Sequence, residues 1–339
     1  MDLFINNRRY IGSKKSLLHQ IQKIILEYYG EEKCTIGDIF GGTGVVAEHF
    51  MNQGYNVIIN DNLQSNYVAY KTWISNDKIN VDKVKKIIEK YNEIDGANLS
   101  DNYFSEIYGE KYFSKNDAKK IGYIRDLLDA EKNELTEREF CSILTSLMYA
   151  TDKIANTVGH FEHYLSKKPT DKSLILKVPF ITTDRKTKSD IYCMDANELI
   201  KNIAADIIYI DPPYNARQYI NFYHVLENLI RWNKPQEFEG VSMKFKRSEL
   251  KSGYSQSKAP KLMEDLIENA NCKLIIVSYN NTYNAKSGAS NNKISEEQLH
   301  KILSKKGNTS VVEIDYKSFN AGKTDFANHK EKLYICEVK

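Results

Sequence analysis

CTIGDIFGGTGVVAEHFMNQGYNVIIND, residues 34–61, sets the architecture of the chain. CTIGDIF (34–40) and YNVIIND (55–61) read as short buried strands, and Val45 to Gln53 between them reads as a helix. The turn Gly41-Gly42-Thr43-Gly44 carries the first strand into that helix, so the unit is β–turn–α–β.

Beyond it, IYCM (191–194), DIIYI (206–210), KLIIVSY (273–279), TSVVEID (309–315) and KLYICEV (332–338) supply five more strands, with helices between most of them. That alternation predicts an α/β fold with a doubly wound, mostly parallel seven-stranded sheet. The last two strands are joined by SFNAGKTDFANHKE, which has no apolar period, and this predicts an antiparallel hairpin at one sheet edge. Upstream, Leu17, Leu18, Ile21, Ile24, Ile25 and Tyr28 give Ser13 to Tyr29 an amphipathic helical spacing that stops at Gly30. Residues 76–189 break the alternation with helical patterns at Val81 to Tyr91, Asp117 to Ala130 and Thr136 to Ile154, the last opening on a Thr136-x-x-Glu139 capping box. The expected organisation is a sheet domain from 1–75 and 190–339 with an inserted, mainly helical region at 76–189.

The chain has 339 residues, 41% hydrophobic and 27% charged, as a folded protein should. Lys+Arg 48 against Asp+Glu 45 leaves a net charge of +3, so attraction to an anionic partner must come from local patches. Five scattered cysteines without a C-x-x-C pair fit a reducing compartment and argue against a structural zinc. The N-terminus MDLFINNRRYIGSKK lacks the apolar run of a signal peptide, and no segment nears the roughly 20 apolar residues of a membrane span. The expectation is a soluble cytoplasmic protein without membrane association; composition does not fix its oligomeric state.

Asp211-Pro212-Pro213-Tyr214 follows the apolar strand DIIYI and therefore sits at a carboxyl-terminal strand edge, where ligands bind in open α/β sheets. Two successive prolines stiffen the turn and leave carbonyl oxygens without competing N–H groups. Asp211 and the Pro212 carbonyl could accept both protons of an exocyclic adenine amine, drawing its delocalised lone pair toward tetrahedral nitrogen. Tyr214 offers an aromatic face to an extruded base. An isolated D-P-P-Y also reads as a stiff turn with a helix-capping Asp, so the neighbouring motifs must decide. The glycine turn, with Asp38, Phe40, Gly42 and Gly44, is Rossmann-like and lets a ligand approach the backbone, and Asp61 could hold a ribose hydroxyl. Taken alone it suits a nicotinamide cofactor as well as S-adenosylmethionine.

Together with the upstream segment Arg9-Tyr10-Ile11-Gly12-Ser13-Lys14, these motifs resemble the Dam-related (D12) class of adenine-specific DNA methyltransferases of restriction-modification systems. That class has a K-W-x-G-G-K-like segment, then F-x-G-x-G, then DPPY; here Tyr10 stands for Trp and Ser13 for the second Gly. The resemblance implies S-adenosylmethionine as cofactor. It places Tyr10, Gly12 and Lys14 at the methionine end, Asp61 at the ribose and Asp195 at the adenine ring, while the charge of Asp38 suits the cofactor's ammonium. Asp195 also reads as the N-cap of the helix after it. In this class the segment before DPPY carries target recognition, which is where 76–189 falls. Catalysis is assigned to Asp211, Pro212, Pro213 and Tyr214, acting chiefly by aligning the amine with the methyl group.

For double-stranded DNA as partner, Arg217 and Tyr219 follow DPPY directly, and Lys244, Lys246 and Arg247 lie in the Gly/Ser-containing stretch Met243 to Lys261, which suits a mobile phosphate-gripping loop. Arg185 and Lys186 make the inserted region locally basic; solvated charge is the ordinary alternative at each. His160-x-x-His163 lacks a ligand set, and no metal is assigned. The expected function is site-specific adenine-N6 methylation of DNA, with a companion restriction endonuclease or as a solitary methylase. Cytosine-N4 or RNA adenine methylation stays open because the amines need the same acceptors, as does a catalytically silent DNA-binding protein. The recognition sequence is not legible.

Overall fold

A computed structural model describes residues 2–282, 288–315 and 330–339. Its strands are β1 (Thr35–Asp38), β2 (Asn56–Asn60), β3 (Ser189–Tyr192), β4 (Ile207–Ile210), the two-residue β5 (Phe238–Glu239) and β6 (Lys244–Phe245), β7 (Leu274–Asn280), β8 (Gly307–Asp315) and β9 (Lys330–Val338). Among the described residues, seven of them form one sheet in the order β3-β2-β1-β4-β7-β9-β8, and β5 pairs with β6. Pairings from β3 through β7 are parallel, while β7–β9 and β9–β8 are antiparallel. This is the α/β sheet with an antiparallel edge that the alternation predicts. The β8–β9 turn and part of the polar stretch 280–292 lie outside the described residues.

The chain divides into two compact units. One, with the large sheet, comprises Ile11–Asn62, Lys186–Tyr219 and Leu250–Lys339. Its core contains Ile39, Ile58, Ile208, Ile210, Met263 and Val277, contributed by strands and by the helix Ala259–Asn269. β4 is buried at every position, as a central parallel strand must be. The chain leaves β1 toward β2 and β3, then returns to β4 on the other side of β1, so the β1/β4 boundary is the topological switch point.

The second unit, Met1–Tyr10, Leu63–Arg185 and Ile220–Glu249, is mainly helical and takes in more chain than the expected 76–189. Helix Val81–Asn92 buries Val84, Ile88 and Tyr91 along one stripe. Helix Glu137–Ile154 carries the anticipated capping box: the Glu139 amide donates to Thr136 Oγ1 at 3.2 Å and the Thr136 amide to Glu139 Oε2 at 3.0 Å. Helix Tyr103–Tyr108 and the β5–β6 hairpin carry too few periodic residues to stand out in the sequence. The expected mobile loop from Met243 to Lys261 instead contains β6, two 3₁₀ turns and the start of a helix, because Leu250, Tyr254 and Ala259 are buried. No helix of the described residues is long and apolar enough to cross a membrane.

Candidate active site

Four acidic residues mark the carboxyl ends of four neighbouring parallel strands. Asp38 ends β1, Asp61 follows β2, Asp195 follows β3 and Asp211 follows β4. Asn60 ties three of these ends together: its side-chain amide donates to the Ile39 and Met194 carbonyls at 3.1 Å each and accepts from the Met194 amide at 3.1 Å. A lone Asn closing an apolar strand was the sequence signal for this brace, and it was missed.

The glycine turn is held by the carboxyl end of β2. The Gly41 amide donates to the Asn60 carbonyl at 2.8 Å and the Gly42 amide to Asp61 Oδ2 at 3.1 Å. Gly42 (φ 53°) and Gly44 (φ 82°) occupy left-handed backbone, which a side chain would strain. Phe40 packs edge-on against Tyr254, with centroids 5.0 Å apart. Asp38 is 1% exposed, and neither of its oxygens has a hydrogen-bond partner of full geometry, although the Ala47 amide is turned toward it. Burial, and then the negative charge of Asp211, push its carboxyl up to about 8. A buried, unpartnered carboxylate beside a glycine cradle fits a ligand that brings a cation.

The DPPY turn forms a dense polar cluster. Lys14 Nζ lies 2.9 Å from Asp211 Oδ1 and 3.4 Å from Glu331 Oε1. The Tyr214 hydroxyl lies 2.6 Å from Asp211 Oδ1, 2.5 Å from Glu331 Oε1 and 3.2 Å from Ser278 Oγ. Burial raises Asp211 above the usual carboxylate range, with Lys14 opposing it. Burial also disfavours the Lys14 charge, but Asp211 and Glu331 outweigh it and hold the ammonium well above its ordinary value. Tyr279 packs on the Tyr214 ring at 4.7 Å and donates to the Tyr214 carbonyl at 3.1 Å, so the turn is fixed from both its ring and its backbone. Glu331 and Ser278 were missed in the sequence: Glu331 is an acid at the mouth of an apolar strand, and Ser278 is one hydroxyl within KLIIVSY.

Lys14, expected at the methionine carboxylate, is thus engaged with the DPPY aspartate. Gly12 (φ 82°) stands beside the Tyr219 hydroxyl, which a methyl group added at Gly12 would approach to 2.9 Å. Tyr219, expected at DNA, shares this polar neighbourhood with Asp211, Lys14 and Asp61. Asp195 caps its helix, accepting from the Asn197 and Glu198 amides at 2.9 and 3.3 Å. Pro212 is buried and Pro213 half-buried, while Arg217 is exposed and donates to Ser290 Oγ at 3.1 Å.

Tyr10 belongs to the helical unit, where its ring stacks on Tyr223 at 4.7 Å and 3°. The Arg8 guanidinium lies 5.3 and 4.9 Å from those two ring centroids. Arg247, expected at phosphates, is drawn inward: it donates to Asn221 Oδ1 at 2.8 Å, Glu239 Oε2 at 2.9 Å and the Phe245 carbonyl at 3.0 Å. Lys244 is half-buried and Lys246 exposed in the same unit. Arg185 donates to the Trp73 carbonyl, and Lys186 is exposed.

Residues 10–283 match the family model of the D12 class N6 adenine-specific DNA methyltransferases. The chain is 37% identical over 322 residues to the modification methylase StsI of Streptococcus sanguinis, covering 90% of this chain and 47% of that protein. It is 35% identical to the type II methyltransferase M.FokI of Planomicrobium okeanokoites, covering 88% of this chain and 47% of that one. With the type II methyltransferase M.NlaIII of Neisseria lactamica it shares 31% identity over 97% of this chain and 98% of the other. The chain therefore spans about half the length of the first two relatives and nearly all of the third.

Proposed function

Because the chain belongs to the D12 class of N6 adenine-specific DNA methyltransferases, we propose that it transfers a methyl group from S-adenosylmethionine to the exocyclic amine of a flipped adenine in double-stranded DNA. The observation that carries this reading is the placement of Asp211, at the end of β4, beside the glycine turn and buried Asp38 at the end of β1. One strand end supplies an acceptor for the amine and its neighbour a place for the cofactor, as catalysis by alignment requires.

S-adenosylmethionine, when bound, supplies an electrophilic methyl group on a sulfonium. Asp38 would take its ammonium, since that carboxylate is buried without a hydrogen-bond partner of full geometry. Gly42 and Gly44 give it room against the backbone, and Asp61 and Asp195 would hold its ribose and adenine ends. Asp211 and the Pro212 carbonyl accept the N–H groups of the target amine, and Tyr214 and Tyr219 line its approach. Lys14 keeps Asp211 charged. The helical unit would carry target recognition, with Lys244, Lys246 and Arg185 offered to phosphates, and the sheet unit would by itself offer Arg217 and Lys186. The setting is cytoplasmic, as modification enzyme beside a restriction endonuclease of the same site or as a solitary methylase.

Thermal unfolding with added ligands tests the cofactor assignment. S-adenosylmethionine should raise the melting temperature in a concentration-dependent way while NAD does not. Stabilisation by NAD alone would return the fold to the nicotinamide reading.

A further inference from the structure

The β5–β6 hairpin of the helical unit is braced more firmly than a surface turn requires. Its ladder pairs Phe238 with Phe245 and Glu239 with Lys244, and Gly240-Val241-Ser242-Met243 joins the two strands. Ser242 is buried: its hydroxyl donates to the Glu162 carbonyl at 2.7 Å, and its own carbonyl lies 2.8 Å from His224 Nε2 and 3.2 Å from the Tyr112 hydroxyl. Met243 is held at φ 52°, left-handed backbone that a residue with a long side chain keeps only when its surroundings impose it, and strain of this kind collects at functional sites. The residue that these contacts fix in place, Val241, is 73% exposed, the most exposed large apolar side chain among the described residues.

The flanks of this tip are basic. From Glu239 to Arg247 the hairpin carries three basic residues against one acid. Arg247 takes up the Glu239 carboxylate at 2.9 Å, so the surplus charge rests on Lys244 and Lys246. Alternation along β6 turns Phe245 and Arg247 inward and leaves half-buried Lys244 and exposed Lys246 on the outer side. A positive surplus beside an apolar tip suits a polyanion that also presents an apolar group. Duplex DNA does so in its major groove, which admits a two-stranded ribbon and whose base edges carry one apolar group, the C5-methyl of thymine. The other apolar role at DNA, a wedge between stacked bases, is filled by longer side chains such as Phe, Leu, Ile and Met.

We propose that the β5–β6 turn is a base-reading tip: it enters the major groove of double-stranded DNA and sets Val241 against the C5-methyl of a thymine, with Lys246 on the flanking phosphates. This rests on the methyl-transfer reading above. The hairpin follows DPPY in the chain, so it adds a specificity-determining residue outside the 76–189 segment that the family resemblance points to. Because Ser242 and Met243 fix the turn before DNA arrives, little ordering is left for the binding step.

The test selects duplexes that the wild-type protein binds from a random pool, then measures affinity for the selected site with each thymine replaced in turn by uracil, which lacks only the C5-methyl. Any site that holds a target adenine holds at least its paired thymine. One replacement should weaken wild-type binding about fourfold, the worth of one buried methyl-sized group, and V241A should bind the thymine and uracil duplexes equally. V241A should also bind the selected site more weakly than the wild type, with its melting temperature and its affinity for S-adenosylmethionine unchanged. A V241A that keeps the wild-type response to uracil overturns the proposal, as does a wild type that is indifferent to every replacement or selects no sequence. A V241A that binds DNA as the wild type does but changes self-association assigns the tip to a protein contact and overturns it equally. Selective binding with no transfer of labelled methyl defeats the methyl-transfer reading instead, and the uracil comparison then still decides the hairpin.

Discussion

Lys14 Nζ sits 2.9 Å from Asp211 Oδ1, so a residue near the start of the chain sets the charge on the first residue of DPPY. Burial already raises Asp211, and Lys14 is what opposes it. Lys14→Met should therefore push the Asp211 carboxyl higher, leaving more of it protonated at neutral pH. The acid limb of the pH–rate profile should move to higher pH and kcat at pH 7 should fall roughly tenfold or more, since on that limb the rate drops about tenfold for every pH unit. An unchanged acid limb would show that Lys14 does not control this carboxylate.

Asp38 gives a second pH signature, this time in stability. Its folded carboxyl is raised to about 8, far above the unfolded value, so between the ordinary carboxylate range and about 8 the folded state binds the extra proton. Stability is then fully present at acid pH and lost as pH rises toward 8, by up to a few kcal/mol in order of magnitude. Asp38→Asn should flatten that decline in urea denaturation at pH 5 and pH 9. It should also weaken S-adenosylmethionine binding by calorimetry, since the amide offers the ammonium no charge.

The sheet was legible because its strands are short apolar runs separated by turns and helices, a pattern set by burial on both faces. The site was legible where residue types are constrained by backbone geometry, as at Gly42, Gly44 and the prolines of DPPY. What stayed hidden was long-range pairing. Nothing local marks Glu331 as the partner of Tyr214, or predicts that Lys14 is engaged with Asp211. Tyr10 looked like its neighbours Gly12 and Lys14 but stacks on Tyr223 in the helical unit, because an aromatic pair is chosen by packing rather than by sequence distance. Arg247 looked like a surface cation, yet an exposed carboxylate, an Asn and a carbonyl draw its guanidinium inward.

That difference between neighbours can be measured. Arg247→Ala should destabilise the protein by about 1–3 kcal/mol, since it removes a buried side chain and takes its donor from the buried Phe245 carbonyl. Lys246→Ala should leave stability within about 0.5 kcal/mol. If Lys246 contacts a phosphate, its loss should reduce the slope of log affinity against log salt for DNA by about 1. An unchanged slope removes Lys246 from the DNA interface.

Gly12 and Tyr219 should behave as a coupled pair. Gly12→Ala places a side chain on left-handed backbone, at about 1–2 kcal/mol, and crowds the Tyr219 hydroxyl. Tyr219→Phe removes that hydroxyl, so the double variant should lose less stability than the two single losses added together, by more than about 0.5 kcal/mol. Strict additivity would mean the ring simply moves aside.

Whether Asp211 serves methyl transfer to adenine in DNA is decided by incubating the protein with labelled S-adenosylmethionine and unmethylated bacterial DNA and digesting the product to nucleosides. The wild type should place label in N6-methyladenine, at one recurring sequence. Asp211→Ala should lose at least roughly 100-fold in rate, as expected when a group acting in the transition state is removed, while still binding S-adenosylmethionine. Label in cytosine, label only in RNA, or an Asp211→Ala variant as active as the wild type would be incompatible with that role.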